Sequence, residues 1–310
     1  MNSLRLSVGA RLFAAVLLAL LCSCHKSAPP TATATPSSPP TPGSVVTLRL
    51  ATYNVRNYNS IDRTIDGVYK PHWPKPEAEK SALREVILAA HPDILALEEM
   101  GANGELDELR RDLANAGLTY TYSALVNGPD PDRHVAVLSR VPLNAVHPHE
   151  IIPFKYNGAD DTVKRGVLEV DIVTNGQPWA LYVVHLKSRL TDVASDPQSA
   201  TEREGEARAV RDLVRKEQSL PGKALVAVVG DFNDARDSPA LKRFTDLNNQ
   251  PLLKIAPTAD SHGETWTSSY GREDEYDRSD YILFSPALAD FQKRRGGIDD
   301  VPASLTASDH

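Results

Sequence analysis

The tetrapeptide Gly-Asp-Phe-Asn at positions 230–233 places a carboxylate and a carboxamide directly after an apolar run, residues 224–229. Such a run predicts a buried strand, and a strand end holds its backbone firmly while its side chains stay open to ligands. Carboxylate and amide oxygens suit a hard divalent cation, and a carboxylate can also activate water. Asp and Asn after a strand are also ordinary turn residues, so the tetrapeptide alone decides nothing.

Four other apolar runs carry similar polar residues at their ends. These runs span residues 48–54, 94–97, 179–184 and 281–284. The polar residues at these positions are Asn54, Glu98 with Glu99, His185 and Asp280, followed at the chain end by Ser308, Asp309 and His310. Each of them alone is also typical of a loop or a solvated rim. Together they include the groups needed to hold one hard divalent cation and to activate water beside a phosphate.

The motifs that contain these residues are, in order, TYNV, LEE, HLKS, GDFN, SDYIL and SDH. This series resembles the endonuclease/exonuclease/phosphatase superfamily, whose fold is DNase I-like, from about Leu48 to the last residue. The resemblance implies an α/β fold, a four-layer α/β/β/α sandwich in which two mixed β-sheets are flanked by helices. It does not specify a substrate, because the same scaffold serves nucleases, sphingomyelinases and inositol-phosphate phosphatases.

The resemblance implies a metal-binding end made of Asn54 and Glu99, with Asp309 as a further ligand or as a residue that orients a ligand. These three side chains offer oxygen atoms only. Oxygen ligands suit Mg²⁺ or Mn²⁺, whereas zinc favours histidine nitrogen or thiolate sulfur. We therefore expect Mg²⁺, or Mn²⁺ in its place, as the cofactor.

The same resemblance implies catalytic roles for Asp231, Asn233, His185, Asp280 and His310. Asp231 would orient or deprotonate the attacking water, and Asn233 would hydrogen-bond that water or the phosphate. His310 would contact the phosphate while Asp280 fixes its tautomer. His185 would donate to a nonbridging oxygen or assist the leaving group. Such positioning, with positive charge where the transition state gathers negative charge, is typical of phosphoryl chemistry.

Basic residues near the motifs are candidates for phosphate binding. The first candidates are Lys187 and Arg189, followed by Lys164, Arg165 and Arg140. Any of them can instead be a surface ion-pair partner, which is the more common role of Lys and Arg. The segment 58–76, which contains Tyr69, His72 and Trp73, is either a specificity loop or a plain surface insertion.

Two features depart from the family pattern. Glu98 stands where many relatives carry glutamine, and we expect this extra carboxylate to be solvated rather than to support Glu99. Relatives usually continue past the SDH motif into a closing strand, whereas the sequence stops at His310. A terminal residue tends to fray unless it is tied down, so the roles of Asp309 and His310 depend on how this end is held.

The first residues resemble a bacterial lipoprotein signal. A basic start is followed by an apolar stretch at 12–21 and by Leu-Cys-Ser-Cys, which ends at Cys24. The stretch is shorter than the roughly 20 residues of a transmembrane helix and suits a secretory signal. We expect a signal peptide at 1–23 and a lipid anchor on Cys24, so that the protein is held on a membrane of the bacterial cell envelope, outside the cytoplasm. The alternative is an ordinary signal, cleaved near Ser27, that releases a secreted protein.

Composition divides the remainder into a stalk and one domain. Residues 24–44 are rich in proline, serine and threonine and predict an extended stalk, whereas residues 45–310 predict the endonuclease/exonuclease/phosphatase domain. Both cysteines of the chain, Cys22 and Cys24, precede this domain. The domain therefore has no disulfide and must be stabilised by burial.

Periodicity predicts the elements that must position the motifs. Apolar residues recur at helical spacing within 76–91, 106–116 and 202–217. Strands are predicted at 135–138 and 167–173, besides those that precede or follow the motifs. We expect the polar clusters to converge at one open edge of the sandwich.

Charge restricts the class of partner. The sequence has 41 acidic and 34 basic residues and a net charge of −7, which gives no general attraction for nucleic acid. The resemblance implies a monomeric metal-dependent phosphoric ester hydrolase that cleaves phosphodiester or phosphomonoester bonds by metal-assisted attack of water. Its substrate would be a small molecule, a lipid head group or a nucleic acid. The alternatives are an extracytoplasmic nuclease (DNase or RNase) of the same class and a non-catalytic tethered ligand-binding protein on the same scaffold.

Overall fold

Two β-sheets stacked face to face form the centre of the structure, a computed structural model that describes residues 45–247, 250–270 and 274–310. In chain order the strands are β1 (Leu50–Tyr58), β2 (Ser60–Ile65), β3 (Val68–Pro74), β4 (Ile94–Met100), β5 (Tyr122–Val126), β6 (His134–Ser139), β7 (Ala145–His149), β8 (Pro153–Tyr156), β9 (Ala159–Thr162), β10 (Val167–Thr174), β11 (Gln177–His185), β12 (Val226–Asp231), β13 (Asp246–Leu247), β14 (Gln250–Pro251), β15 (Lys254–Ile255), β16 (Thr258–Ala259), β17 (Ser268–Tyr270), β18 (Glu275–Asp277), β19 (Asp280–Phe284) and β20 (Gly296–Gly297). The helices are α1 (Glu77–Ala90), α2 (Asn103–Asn115), α3 (Ala200–Gln218), α4 (Pro239–Thr245), α5 (Pro286–Ala289) and α6 (Ser304–Ala307).

Both main sheets are mixed. The smaller sheet has four strands in the order β1-β4-β6-β5, and the larger sheet has six in the order β15-β19-β12-β11-β10-β7. In the smaller sheet β1 and β4 are parallel, and the other neighbours are antiparallel. In the larger sheet β11 and β12 are parallel, and the other neighbours are antiparallel. Each sheet therefore contains one parallel pair whose strands end at the same edge.

Alternation along the strands gives each sheet two apolar faces. On β6, Val135 and Val137 point into the core between the sheets, whereas Ala136 and Leu138 belong to the core on the outer face. Strands β10, β11 and β12 divide their apolar side chains between two cores in the same way. Because both faces are apolar, each sheet must be covered on both sides.

Helices supply the outer cover. Leu83 and Ile87 of α1 and Leu109 of α2 are buried against the smaller sheet. Val210 of α3 and Phe244 of α4 are buried against the larger sheet. The layers thus follow the order helix, sheet, sheet, helix, which confirms the predicted α/β/β/α sandwich.

Most predicted elements of the domain are present. The helices predicted within 76–91, 106–116 and 202–217 correspond to α1, α2 and α3. The segment 58–76 contains the hairpin of β2 and β3, and its contact with a substrate stays a prediction. The predictions for 1–44, including the anchor at Cys24, lie outside the described residues. Within the part of the chain that the structure describes, no helix is long and apolar enough to cross a membrane.

Candidate active site

Polar side chains from both sheets meet at one edge of the sandwich. Strands β11 and β12 are parallel and end together, so His185 lies opposite Asp231. Their neighbour β19 runs the other way and begins at this edge, which places Asp280 opposite Asp231. In the smaller sheet, β1 and β4 place Asn54 opposite Glu98. Asn54 joins the two sheets, because its Nδ2 donates to Oδ2 of Asp231 over 3.0 Å.

Glycine at position 230 sets the approach of β12 to β11. Gly230 has a φ of +136°, and a Cβ at this position would lie 1.9 Å from the carbonyl oxygen of Val184. A side chain cannot be accommodated so close to a backbone atom. Asp231, which follows directly, is therefore held at a fixed position by a strand that is buried along its whole length.

The carboxylate of Asp231 is only 1% exposed and is held by two neighbours. Oδ1 accepts a hydrogen bond from the backbone N–H of Asn233 at 2.8 Å, and Oδ2 accepts from the side-chain amides of Asn54 and Asn233. Burial, together with the negative charge of Asp280, raises the pKa of Asp231 to about 7, although His310 and the hydrogen bonds oppose this shift. A carboxylate with such a pKa suits a general base near neutral pH.

His310 lies between two carboxylates. Its Nδ1 is 2.8 Å from Oδ2 of Asp280, and its Nε2 is 3.8 Å from Oδ2 of Asp231. Burial lowers the pKa of His310, but the negative charges of Asp280 and Asp231 outweigh burial and raise the pKa well above its ordinary value. Asp280 is itself fixed by the hydroxyl of Thr267 at 2.7 Å. The contact with Asp280 therefore holds His310 in the site.

Glu99 and Asp309 are the two acidic residues predicted to bind the metal. Both contact residues that directly follow the TYNV motif. Glu99 has a φ of +58°, where the register of β4 against β6 shifts, and its Oε2 accepts from the N–H of Asn57 at 2.9 Å. Asp309 lies 3.5 Å from Nε of Arg56. The hydroxyl of Ser308 donates to the carbonyl of Asn54 at 2.8 Å, which seats the SDH motif on β1.

The donor atoms at this edge fit a cation. One ligand atom each of Asp231, Asp280 and His310 lie within 4.8 Å of one another, and this group does not include the predicted ligands Glu99 and Asp309. Oε2 of Glu98, Oδ1 of Asp280 and Nδ1 of His185 are buried and make no hydrogen bond within the described residues. Buried polar atoms without a partner are rare and indicate a place for a ligand, a water or an ion.

Glu98 is not solvated, and the prediction that it would be was wrong. It is fully buried, because β4 continues to Met100 and Glu98 extends the inward-facing set that includes Ala96. Its Oε1 accepts from the hydroxyl of Thr52 at 2.8 Å. Burial, followed by the charge of Asp280, raises the pKa of Glu98 well above its ordinary value.

Lys187 and Arg189, the predicted phosphate-binding residues, are engaged elsewhere. Nζ of Lys187 donates to the carbonyls of Ser188 and Leu190. Arg189 forms an exposed ion pair with Asp277 at 2.7 Å. Phosphate binding by either side chain stays a prediction. Two further candidate bases are also in ion pairs, Lys164 with Asp161 at 2.7 Å and Arg140 with Asp93 at 2.9 Å.

Two arginines act on the site through their charge. Burial lowers the pKa of His185 well below its ordinary value, and the charges of Arg165, His310 and Arg133 lower it further. Arg165 is buried, with its Nε 3.2 Å from the carboxylate of Asp130. Strand-end reasoning misses Arg133, because it precedes β6. Since β6 is antiparallel to β4, it starts at the edge where β4 ends. A polar residue directly before a strand of this direction can therefore also lie at the site, and Arg133 is such a residue.

Comparison with known proteins decides the family. The sequence model of the Endonuclease/Exonuclease/phosphatase family matches residues 51–310. The chain belongs to this endonuclease/exonuclease/phosphatase family. Comparison with curated protein sequences gave no significant match.

Solved structures show the same fold as this endonuclease/exonuclease/phosphatase chain. A Staphylococcus aureus beta toxin with a β-hairpin deletion is 19% identical, with a TM-score of 0.60 over 83% of this chain and 94% of that chain. The endonuclease/exonuclease/phosphatase from Bacteroides vulgatus is 17% identical, with a TM-score of 0.57 over 85% and 95%. A Staphylococcus aureus beta toxin variant with bound magnesium ions is 18% identical, with a TM-score of 0.55 over 77% and 84%.

Proposed function

We propose that this endonuclease/exonuclease/phosphatase protein hydrolyses phosphodiester or phosphomonoester bonds by metal-assisted attack of water. The proposal depends mainly on the position of the Asp231 carboxylate. Its Oδ2 lies 3.0 Å from the amide of Asn54, 3.6 Å from Nε2 of His185 and 3.8 Å from Nε2 of His310. A base, two imidazoles and a candidate metal ligand thus surround one small space, as attack of water on a phosphate requires.

The cofactor in this proposal is Mg²⁺, with Mn²⁺ as a substitute. Oxygen atoms of Asn54, Glu99 and Asp309 would hold the ion. When bound, the metal would polarise the phosphoryl oxygens and stabilise the charge of the transition state. The oxygen-only ligand set and the magnesium ions bound in the similar beta toxin support the choice.

Asp231 would accept the proton of the attacking water. Two amides hold its Oδ2, one from Asn54 and one from Asn233, so the carboxylate keeps one orientation. The Nδ2 of Asn233 also donates to the carbonyl of Leu186 at 3.0 Å. Both amide hydrogens of Asn233 are thereby used, which favours a role in holding Asp231 over direct donation to the phosphate.

The two histidines would act on the phosphate in different protonation states. The raised pKa of His310 favours an imidazolium, which would contact the phosphate while Asp280 fixes Nδ1. Since burial lowers its pKa, His185 would be neutral and would share a hydrogen bond with a nonbridging oxygen or the leaving group. The charges of Arg165 and Arg133 would favour a negatively charged substrate beside it.

The overall charge favours a small substrate within this class. A net charge of −7 gives no general attraction for a long polyanion. We therefore favour a small-molecule or lipid head-group phosphate ester over DNA or RNA. A nuclease would show a steep decrease in affinity for DNA with increasing salt, whereas a small-molecule esterase would not.

The test is turnover of a substrate panel: bis-p-nitrophenyl phosphate, p-nitrophenyl phosphate, plasmid DNA and phospholipids, with Mg²⁺ or Mn²⁺ and with or without chelator. We expect turnover that chelator abolishes and that Asp231→Asn lowers about 10²- to 10⁴-fold, since the base is lost. Asp237→Asn is the matched control, because Asp237 is exposed on the loop after the motif and its loss should not change the rate. No turnover on any substrate, or equal rates for Asp231→Asn and wild type, rejects the proposal. Substrate binding without turnover supports the tethered binding protein.

A further inference from the structure

A second group of ligand side chains lies on the outer face of the larger sheet. His147 and His149 alternate along β7, and Glu169 and Asp171 alternate along β10. His147 is paired with Glu169 in the antiparallel register of these strands. Directly opposite residues point to the same side of a sheet, as do residues two apart, so all four side chains share one face.

The two carboxylates of this group already hold one positive charge. Nζ of Lys223, in the loop before β12, donates to Oε1 of Glu169 at 2.8 Å and to the two carboxylate oxygens of Asp171 at 2.7 and 2.9 Å. Nε2 of His149 lies 2.8 Å from Oε2 of Glu169, and Nε2 of His147 lies 3.6 Å from Oδ2 of Asp171. The ammonium thus occupies the position in which a metal ion would meet both carboxylates.

Burial makes this group unusual for a surface ion-pair cluster. The side chain of Glu169 is 1% exposed. Its Oε2 lies beside Nε2 of His149 and its Oε1 accepts from Nζ of Lys223. An ionised carboxylate at such a position needs a permanent cationic partner.

A buried hydroxyl lies beside Glu169 of this group. Tyr182 lies opposite Glu169 in the register of β11 and β10 and is fully buried. Within the described residues this hydroxyl forms no well-oriented hydrogen bond. It is available to donate to a carboxylate that has turned toward a metal ion.

The group is separate from the active site. Its residues share the outer face of the larger sheet with Tyr182 and Val184, whereas Leu181 and Val183 point into the core between the sheets. The catalytic candidates lie at the end of β11 and β12, and none of them belongs to this group.

We propose that His147, His149, Glu169 and Asp171 bind a divalent transition-metal ion such as Zn²⁺, with Lys223 leaving when the metal enters. Two imidazole nitrogens and two carboxylate oxygens form a ligand set typical of zinc, in contrast to the oxygen ligands proposed for the active site. The two carboxylates carry two negative charges, of which Lys223 neutralises one and a divalent ion neutralises both. The bound ion would join the edge strand β7 to β10.

Zinc binding to the full chain, measured by calorimetry in excess Mg²⁺, tests this site. We expect wild type to bind one equivalent of Zn²⁺ more than the double variant His147→Gln/His149→Gln. His262→Gln is the control, because His262 is an exposed histidine beside a different carboxylate, Asp300, and this variant should bind as wild type does. Equal stoichiometry in wild type and the double variant overturns the proposal.

The zinc affinity of the variant Lys223→Met distinguishes a metal site from a purely structural ion pair. Removing the competing ammonium should tighten zinc binding at least about tenfold. If Lys223→Met binds zinc and wild type does not, the carboxylates serve as a structural ion pair with Lys223, and the proposal is overturned.

A zinc soak of wild-type crystals tests the site even if a variant does not fold. Crystals soaked with Zn²⁺ should show an anomalous peak at the zinc edge between β7 and β10. A map with no peak at this position contradicts the site.

Discussion

Glu98 and Glu99 are adjacent in the sequence, but their carboxyl groups have different surroundings. Glu98 is fully buried and accepts a hydrogen bond from Thr52, and burial raises its pKa well above the ordinary value, which favours the neutral form. Glu99 is partly exposed and accepts from the N–H of Asn57. A neutral glutamic acid has nearly the shape of glutamine. At the residue scale, the two neighbours therefore have separate roles.

This difference predicts different effects of the same substitution, Glu to Gln, at positions 98 and 99. Glu98→Gln should keep kcat/KM within about threefold of wild type, because it replaces a neutral carboxyl group by a neutral amide. Glu99→Gln should lower kcat about 10²-fold or more and raise the Mg²⁺ concentration needed for half-maximal rate, because it would remove a carboxylate from the proposed metal site. Steady-state rates over a Mg²⁺ titration measure both effects. Comparable losses in the two variants would show that Glu98 acts as an ionised group.

At the scale of elements, the close contact of β11 and β12 positions Asp231. Gly230 in β12 lies against the carbonyl of Val184 in β11, and the parallel pairing sets His185 opposite Asp231. A substitution at Gly230 therefore affects both the stability of the sheet and the geometry of the site.

Gly230→Ala should destabilise the fold by about 2–4 kcal/mol, because the added Cβ meets the Val184 backbone and φ is unfavourable for alanine. Gly104→Ala is the control, since Gly104 lies in α2 with open space around the added Cβ and an ordinary φ. Removing a helical glycine should stabilise by about 0.5–1 kcal/mol. Urea unfolding measures both variants. An unchanged midpoint for Gly230→Ala would disprove the close contact.

Periodicity located the elements better than it located their ends. It gave α1 and α3 almost in full, because their apolar residues recur every three or four positions over several turns. It ended the first strand at Asn54 and the next at Leu97, whereas β1 and β4 continue to Tyr58 and Met100. The polar residues in these extensions look like loop residues, yet Tyr58 and Met100 are still paired. The burial of Glu98 was missed for this reason.

At the scale of the whole molecule, the site depends on contacts between distant parts of the chain. Asn54 and Asp231 are 177 positions apart and share a hydrogen bond between two sheets. No local pattern predicts such a contact, so the sequence motifs indicated it only through the family resemblance. The side-chain partners of Lys187 and Arg189 were unpredictable in the same way, because loop side chains choose partners by tertiary position.

We propose that Cys24 anchors the protein to a membrane of the bacterial cell envelope, because Leu-Cys-Ser-Cys follows an apolar stretch at 12–21. We also propose that the protein is monomeric. In metabolic labelling with a fatty acid, wild type and Cys22→Ala should carry label, and Cys24→Ala should not. Cys22→Ala controls for loss of a nearby thiol. An unlabelled wild-type protein would rule out the anchor and favour secretion.

The central claim is that motifs from both sheets assemble one metal-dependent phosphate site, and crystals soaked with Mn²⁺ and phosphate test it most directly. We predict an anomalous peak beside the carboxylate of Glu99 and the carboxamide of Asn54, with phosphate between Asp231 and His310. A manganese peak away from these side chains, or phosphate bound elsewhere, would contradict the account.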